Sequence, residues 1–398
     1  MPWKERTVEK VREEFVKRVL AHEKSKSALC KEYGISRPTG DKWIRRYQEG
    51  AELTDRSRAP KRRPGRVSAE MEKQVVEMRR KYPAIGAAKI HRMMENEGIG
   101  ALPSARTMNN IFRRNGLITP AASAAATPYQ RYEKAQPNEM WQADFKGHFA
   151  MKDQKRCHPL NILDDYSRFC LCCEAQLDET FNSIQPVLQR LFQEYGLPFS
   201  FLCDNGTPWG TAQSVGFTKL EVWMMELGIL VLHGRVRHPQ TQGKDERFNR
   251  SFTRECLALN EFSDRQQAQR IFSDYRDFYK NRRPHCALGM DVPSSRYQPS
   301  ERKYPDKIEP WEYPAHCQLC KVKDTGYFNY KGQGYFLSEA LAGRTIAVRD
   351  SALPGQISLL FRQFRIGRID LAARAYTLRK ACLLVGDPRS SLLPPRSI

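Results

Sequence analysis

The chain has 398 residues, and its formal net charge is +21 at neutral pH. This length exceeds one typical domain, so we expect about two to four domains, each with its own core. The sequence contains no run of about eighteen apolar residues, and its start, MPWKERTVEK, lacks the hydrophobic segment of a signal peptide. These features argue against a membrane-spanning or secreted protein and predict a soluble protein of the cytoplasm.

The positive charge is unevenly distributed. Residues 1–135 contain 30 Lys and Arg against 16 Asp and Glu, a net of +14. Residues 136–308 contain 23 against 22, a net of +1, and residues 309–398 contain 13 against 7, a net of +6. A nearly neutral centre between basic flanks is typical of an enzyme that handles a polyanion such as DNA. The alternative is a basic protein that its charge merely keeps soluble.

The cysteine pattern predicts no metal centre. Eleven cysteines are scattered along the chain, and several, such as Cys170 and Cys203, lie in apolar runs typical of strands. We expect them to be reduced and buried. Cys317 and Cys320 form one C-x-x-C pair, but no second pair of Cys or His follows at the spacing of a zinc finger. No zinc is therefore expected.

Residues 7–49 predict three helices in a helix-turn-helix arrangement, which places a DNA-binding domain at residues 1–54. Gly34 marks the turn, and Ser36 is a favourable N-cap for the third helix. A three-helix packing module without DNA contact is the alternative. The outward-facing residues of the third helix are the candidate DNA contacts: Arg37, Thr39 and Lys42.

Residues 55–67 are dense in Arg and Pro and include the sequence DRSRAPKRRPGR. Such a segment has too few apolar residues to pack, so we predict a basic linker arm that enters a minor groove. A solvated linker is the alternative. The candidate DNA contacts of this arm are Arg62, Arg63 and Arg66.

A second helix-turn-helix domain is predicted at residues 68–118, where the pattern of the first domain recurs without identity of sequence. Ser104 is the expected cap of its third helix. Two such modules joined by a basic arm would cover more than one turn of a duplex. The Ala-, Pro- and Thr-rich residues 119–135 are predicted to be a linker. The outward-facing candidates on the third helix are Arg106, Asn109 and Arg113.

Residues 136–298 alternate strand-like and helix-like patterns and predict an α/β core. Asp144 lies within the first strand-like run, MWQADFKGHFAM, and Asp204 follows the apolar run LPFSFLC. A carboxylate at the end of a strand is placed for ligands rather than for packing. Strands are expected near 139–149, 157–164, 168–175, 198–203 and 228–233, and helices near 179–195, 218–227 and 264–282, with one more around Glu246.

The predicted helix around Glu246 has one apolar and one chemical face. At 100° per residue, Asn249 and Arg250 return to the side of Glu246, where they are candidate DNA contacts. Asp245 points instead with Phe252 toward the apolar side, so Glu246 is the carboxylate available to a ligand. Together with the two aspartates, it supplies hard oxygen ligands suited to Mg²⁺ or Mn²⁺. An ordinary amphipathic helix with a solvated face is the alternative.

Other titratable groups compete for a role near these carboxylates. Asp164 and Asp165 are possible metal ligands, but they precede a Tyr166–Ser167 turn and are more typical of a hairpin. His233 and His238 lie near the expected site, where hydrogen bonding or DNA contact is favoured over metal binding. Asp144 therefore remains the expected first ligand.

Four motifs in this order resemble the catalytic core of bacterial insertion-sequence transposases and retroviral integrases, the DDE group. The motifs are WQADFKG, ILDDYSRF, CDNGTPW and HPQTQGKDERFNRSF. The resemblance implies a ribonuclease-H-like fold and two metal ions held by the catalytic residues Asp144, Asp204 and Glu246. The gap between the last two residues is longer than in retroviral members, which suggests an inserted turn near residues 211–217.

After residue 299, short alternating strands punctuated by Gly predict a small antiparallel barrel over residues 299–385. The resemblance implies that this domain is SH3-like and serves DNA binding or subunit contacts. Residues 386–398 are predicted to be a disordered tail. The expected fold class is thus multidomain: all-α helix-turn-helix modules, an α/β ribonuclease-H-like integrase core and a small all-β barrel.

The resemblance implies a transposase that binds the terminal inverted repeats of a mobile element in double-stranded DNA and joins the cut 3′-hydroxyls to target DNA. Pairing two ends requires at least a homodimer. A bacterial protein associated with the nucleoid is expected, without a membrane partner. A DNA-binding regulator and a nuclease or junction resolvase on the same fold are the alternatives.

Overall fold

The computed structural model describes residues 7–55, 67–118, 133–210, 216–234, 243–351 and 355–371, and the backbone of residues 375–383. The predicted arm contacts Arg62, Arg63 and Arg66 lie outside the described residues, as do His238, most of the expected inserted turn and the expected tail. Within the described residues, every helix is too short or too polar to traverse a lipid bilayer. The chain divides into two compact units, residues 1–66 and 67–398.

The first unit contains the three predicted helices, α1 (Val8–Leu20), α2 (Lys26–Glu32) and α3 (Arg37–Gln48). The expected cap is confirmed, because Ser36 Oγ accepts a hydrogen bond from the backbone N–H of Thr39. Phe15, Cys30 and Trp43 belong to the small core between the helices. Gly40 lets the helices approach closely, since a Cβ atom there would lie 2.8 Å from Cys30 Sγ.

The second unit begins with another group of three helices, residues 67–118, called the second module below. Its helices are α4 (Ala69–Lys81), α5 (Ala87–Asn96) and α6 (Ala105–Arg114), and Ser104 caps α6 as expected. The apolar core of the second module includes Val75, Ile90 and Phe112. The predicted helical character of both groups is confirmed.

The α/β core follows. Its strands are β1 (Met140–Phe145), β2 (Phe149–Ala150), β3 (Arg156–Asp164), β4 (Cys170–Gln176), β5 (Ser200–Cys203) and β6 (Leu230–His233). Its helices are α7 (Phe181–Tyr195), α8 (Lys219–Glu226), α9 (Gly243–Glu255) and α10 (Arg265–Asn281). The predicted elements are thus present, with one correction. The first expected strand, 139–149, is interrupted after Phe145, because Gly147 adopts a φ of 86° that ends the extended conformation.

The core sheet has the order β2-β3-β1-β5-β6, with β4 also paired to β3. Strands β1 and β3 are antiparallel, whereas β1, β5 and β6 run parallel. Alternate residues of β1 face opposite sides, so Trp141 and Ala143 pack in the cluster of α7 and α8. Phe248 and Phe252 of α9 pack with α10 on the other side of the sheet. The result is a sheet between two helical layers, with Gln142 and Asp144 directed toward α9.

The C-terminal part is all-β, as predicted. Its antiparallel sheet has the order β13-β12-β11-β10-β7. These strands are β7 (Gln318–Lys321), β10 (Thr345–Asp350), β11 (Gln356–Phe361), β12 (Phe364–Asp370) and β13 (Ala375–Leu383), and β8 (Tyr327–Tyr330) and β9 (Gln333–Phe336) form a separate hairpin. Its apolar cluster also contains Val222 and Met225 of α8 and Leu230 at the start of β6. The C-terminal strands and the core sheet are therefore joined by one hydrophobic cluster.

Candidate active site

Asp144 and Asp204 lie at matching positions of two neighbouring parallel strands. The register of β1 and β5 pairs Gln142 with Leu202, and each aspartate is two residues further along its strand direction. Adjacent strands are about 4.8 Å apart, so this register brings the two carboxylates to the same end of the sheet. The sequence-based expectation that strand ends bring these residues together agrees with this arrangement.

Burial makes both carboxylates costly to ionise, and for Asp144 the charge of Asp204 adds to this cost. The pKa of Asp144 is raised to about 6, first by burial and then by the negative charge of Asp204, with a smaller contribution from Glu246. Burial also raises the pKa of Asp204, against the effect of a hydrogen bond from the Gly206 N–H. A pair of half-buried like charges is a typical feature of a functional site.

Asn249 of α9 holds the side chain of Asp144. Its Nδ2 donates a 2.6 Å hydrogen bond to Asp144 Oδ2, and its Oδ1 accepts a 2.8 Å hydrogen bond from Asn161 of β3. Only 7% of Asn249 is exposed. The helical pattern predicts Asn249 as a DNA contact on the face of Glu246, whereas the residue is buried and both ends of its amide are engaged within the protein. In the sequence, the only indication that Asn249 belongs to the site is its spacing of three residues from Glu246.

Glu246 is exposed near the start of α9 and is close enough for its charge to raise the pKa of Asp144. It is not assembled with the two aspartates. Among the described residues, no group of three or more Asp, Glu, His or Cys side chains is arranged to hold a metal ion. The structure therefore brings Asp144 and Asp204 together and leaves Glu246 beside them on a separate element.

The neighbouring carboxylates serve packing and turns. Asp245 is only 3% exposed, as the helical pattern predicted, and burial raises its pKa well above the usual range. Asp164 accepts hydrogen bonds from the Asn138 N–H and from Ser167, which agrees with the expected hairpin role. Asp165 accepts a hydrogen bond from the Lys134 N–H and pairs with Lys244.

His233 connects the backbone of Asp204 to a buried acid. Its Nδ1 lies 2.7 Å from the backbone oxygen of Asp204, and its Nε2 lies 2.7 Å from Oε1 of Glu221. Because a carbonyl oxygen only accepts, Nδ1 is the donor in the contact with Asp204. The side chain of His233 is 1% exposed. Sequence reasoning anticipated hydrogen bonding for His233 but missed Glu221, whose other oxygen caps α8 by accepting a hydrogen bond from the Thr218 N–H.

The candidate DNA contacts on helices are mostly on the surface. On α6, Arg106, Asn109 and Arg113 are exposed, and Arg250 is exposed on α9. Arg37 and Lys42 of α3 are exposed and Thr39 is half-buried. Their positions are compatible with contact to DNA, which stays a prediction.

Residues 134–239 match the family model described as Integrase core domain, and residues 227–293 match a second model with the same description. The chain carries an integrase core. The models described as Helix-turn-helix domain and Homeodomain-like domain match residues 11–61 and 39–112. The model described as IS481 family transposase, C-terminal domain, matches residues 317–377. The expected resemblance to insertion-sequence transposases with an integrase core is thus confirmed.

Relatives of the integrase core come from insertion elements. The IS407 uncharacterized 31.7 kDa protein of Burkholderia multivorans is 23% identical over 236 residues, which cover 58% of this chain and 82% of that protein. The IS476 uncharacterized 39.2 kDa protein of Xanthomonas euvesicatoria is 22% identical over 54% of this chain and 57% of its own length. A candidate transposase of IS5376 from Geobacillus stearothermophilus is 25% identical over 60% of each chain. The chain thus spans little more than half of the last two relatives.

Among solved structures, a chain of the simian T-cell lymphotropic virus intasome in complex with PP2A regulatory subunit B56 gamma is similar. Its TM-score is 0.34 at 15% identity, covering 74% of this chain and 96% of that chain. The HTLV-2 integrase catalytic core domain in complex with magnesium gives a TM-score of 0.30 at 16% identity, covering 41% of this chain and 99% of that chain.

Proposed function

We propose that the chain is a DNA transposase that binds the terminal inverted repeats of a mobile element, cleaves at its ends and joins the 3′-hydroxyls to target DNA. The observation that carries this proposal is the position of Asp144 and Asp204 at matching ends of two parallel strands, within an integrase core. The insertion-element relatives support it. The enzyme class is a DDE-type polynucleotidyl transferase.

The proposed metal ligands are Asp144, Asp204 and Glu246, and the proposed ions are two Mg²⁺ or Mn²⁺ per site. The donor set fits these ions, since carboxylate oxygens are the hard ligands that they prefer. The raised pKa of Asp144, about 6, also fits, because a bound cation would relieve the repulsion between the two aspartates. Glu246 must approach the pair to complete the set. When bound, such ions activate the attacking oxygen and stabilise the leaving oxygen at phosphorus.

The residues around the carboxylates fix their orientation. Asn249 holds one oxygen of Asp144, so that the other oxygen is free to face a ligand. His233 holds the backbone of Asp204, so that the side chain is presented from a fixed strand end. Outer partners of this kind orient metal-binding carboxylates and are needed for full affinity. Glu246 remains exposed on α9, where a phosphodiester could reach it.

The flanking regions are proposed to bind DNA and a second copy of the chain. The exposed basic residues of α3 and α6 would contact the element ends, and the C-terminal strands are proposed to form a small SH3-like barrel. Because two ends must be paired, the active form would be at least a homodimer working on chromosomal DNA in the cytoplasm. The proposed domains are 1–54 and 68–118 for DNA binding, 136–298 for catalysis and 299–385 for the barrel, with connections at 55–67 and 119–135 and a tail at 386–398.

The test is Mg²⁺-dependent cleavage and joining by the Asp204→Asn variant. The substrate is chosen from duplexes tiled across the DNA on both sides of the coding sequence, and the tightest binder is used. We expect Asp204→Asn to bind this duplex normally and to yield neither cut nor joined product. Asp274→Asn, which changes an exposed aspartate on α10, is the matched control and should react normally. Full joining by Asp204→Asn would contradict the proposal.

The same assays separate the alternatives. Binding by the natural chain without any cut product would favour a DNA-binding regulator, in which the core is only a scaffold. Cleavage without joining, even of duplexes with pre-cut ends, would favour a nuclease or junction resolvase.

A further inference from the structure

The second module is docked on α10 of the catalytic core. The ring of Tyr82, just after α4, stacks on Phe278 of α10 with centroids 4.9 Å apart and an interplanar angle of 11°. Immediately after the end of α10, Arg282 pairs with Glu97 of the second module at 2.5 Å, and its guanidinium also lies 6.0 Å from the Tyr82 ring. Stacking and charge pairing thus act at the same place, and they define the docking contact: Tyr82, Glu97, Phe278 and Arg282.

An adjacent side of α10 and the residues just after it contact the catalytic helix α9. Tyr279 packs edge-on against Phe248 of α9 with centroids 4.7 Å apart. Arg283 donates two 2.6 Å hydrogen bonds to the carboxylate of Glu255 and a 3.1 Å bond to Ser251 Oγ. The side chains of Arg283 and Glu255 are 6% and 9% exposed, so this pair is inaccessible to solvent ions that would weaken it.

Two residues of the docking contact, Phe278 and Arg282, lie at the end of α10 or just after it. Each is followed in sequence by a residue that contacts α9. Phe278 precedes Tyr279, and Arg282 precedes Arg283. Helix α9 in turn carries Glu246 and Asn249, and Asn249 holds Asp144. Contiguous packed and hydrogen-bonded groups thus run from the second module to the catalytic carboxylates.

We propose that the docking contact fixes the second module relative to the catalytic site, so that DNA bound on the exposed face of α6 is cut at a set distance. The proposal rests on the proposed function and adds the element that determines the position of the cut. Tyr82, Glu97, Phe278 and Arg282 are positioning residues, because they act through α10 and not on the DNA. A small displacement of the scissile phosphate would be enough to reduce the rate.

The charge pair is the part of the contact best suited to a test, because the side chains of Arg282 and Glu97 are 44% and 36% exposed and can be changed without opening a core. Arg282→Glu places two acids against each other. We expect unchanged binding of the end duplex, with cleavage slowed about tenfold or more, or spread over several positions. Adding Glu97→Arg restores the pair in reversed polarity and should restore both the rate and the single cut position. The control is Lys152→Glu, which breaks a solvent-exposed salt bridge with Glu261 on the surface of the α/β domain. This variant should cut normally.

Three results would overturn the proposal. Arg282→Glu could cut at the same position and rate as the natural chain, or the reversed pair could fail to restore a defect of Arg282→Glu. Loss of end binding in Arg282→Glu would identify Arg282 as a DNA contact instead. Failure of the proposed function is a different outcome, since the natural chain would then give no cut product at all.

Discussion

Asn249 donates a 2.6 Å hydrogen bond to Asp144, a residue 105 positions away in sequence. Because the Asn249 oxygen accepts from Asn161, rotating the amide would break both hydrogen bonds. We predict that Asn249→Ala slows Mg²⁺-dependent cleavage by about tenfold to a hundredfold, as is usual for partners of metal ligands. Asn249→Asp should be more damaging, since it adds a carboxylate against Asp144. Single-turnover cleavage of the end duplex measures both effects.

A matched control for this prediction lies just beyond the same helix. Asn260 donates its amide to the Cys256 carbonyl, and Asn260→Ala removes a hydrogen bond of the same kind away from Asp144. It should cleave at the natural rate. A natural rate in Asn249→Ala would show that the contact with Asp144 is dispensable.

The raised pKa of Asp144 predicts a gain in stability when its charge is removed. The pKa is about 6 in the folded chain against 3.8 ordinarily, so stability falls as the pH rises between these values. Above the higher value the ionised side chain costs about 2 to 3 kcal/mol, the equivalent of about two pKa units. Metal-free Asp144→Asn should therefore be more stable at neutral pH and about equally stable below the lower value. Urea unfolding of both proteins across this range tests the sign, and no gain at neutral pH would contradict it.

We predict that substitutions in the pair of His233 and Glu221 affect the stability of the protein and its cleavage rate differently. His233→Leu leaves Oε1 of the buried Glu221 without a partner, although Oε2 keeps its hydrogen bond from the Thr218 N–H. This should cost about 3 kcal/mol of unfolding free energy. Adding Glu221→Gln removes the buried charge and should recover much of this loss. Cleavage should stay low in the double variant, because the backbone oxygen of Asp204 still lacks its donor. Chemical denaturation and cleavage rates are measured side by side, and recovery of both would refute a role for His233 in holding Asp204.

Gly40 predicts a local effect in the first unit. A Cβ atom there would meet Cys30 Sγ at 2.8 Å and the Phe15 ring at 3.1 Å. Gly40→Ala should therefore destabilise the three helices by about 1 to 3 kcal/mol, as overpacking usually does. Hydrogen exchange should accelerate in residues 7–55 and stay unchanged in the integrase core. Cys30→Ala in the same chain should relieve the effect, and unaltered exchange in Gly40→Ala would contradict the prediction.

Local patterns were sufficient to predict most elements of the core. The helical period predicts that Asp245 faces the apolar side of α9, and this residue is buried as expected. Strand ends predicted ligand positions for Asp144 and Asp204, and the parallel register places them together. Period and strand polarity are properties of short segments, so they can be inferred from local sequence. The role of Asp144 and Asp204 as metal ligands stays a prediction.

Contacts between distant segments could not be predicted in the same way. The helical pattern groups Asn249 with Glu246, but a single helix gives no information on the partner that its amide meets. Phe278 and Arg282 similarly look like an ordinary solvated edge of an amphipathic helix, although they receive the second module. Their roles depend on how elements pack, which a residue period does not specify.

The hydrophobic cluster shared by α8, β6 and the C-terminal strands has a practical consequence. Val222, Met225 and Leu230 are shielded from water by residues that lie about a hundred positions downstream, such as Phe328. In a catalytic fragment that ends near residue 308, these side chains would form an exposed hydrophobic patch. Such a fragment should aggregate during expression. Exchange of C-terminal regions between relatives would succeed only if the matching face of α8 were transplanted as well.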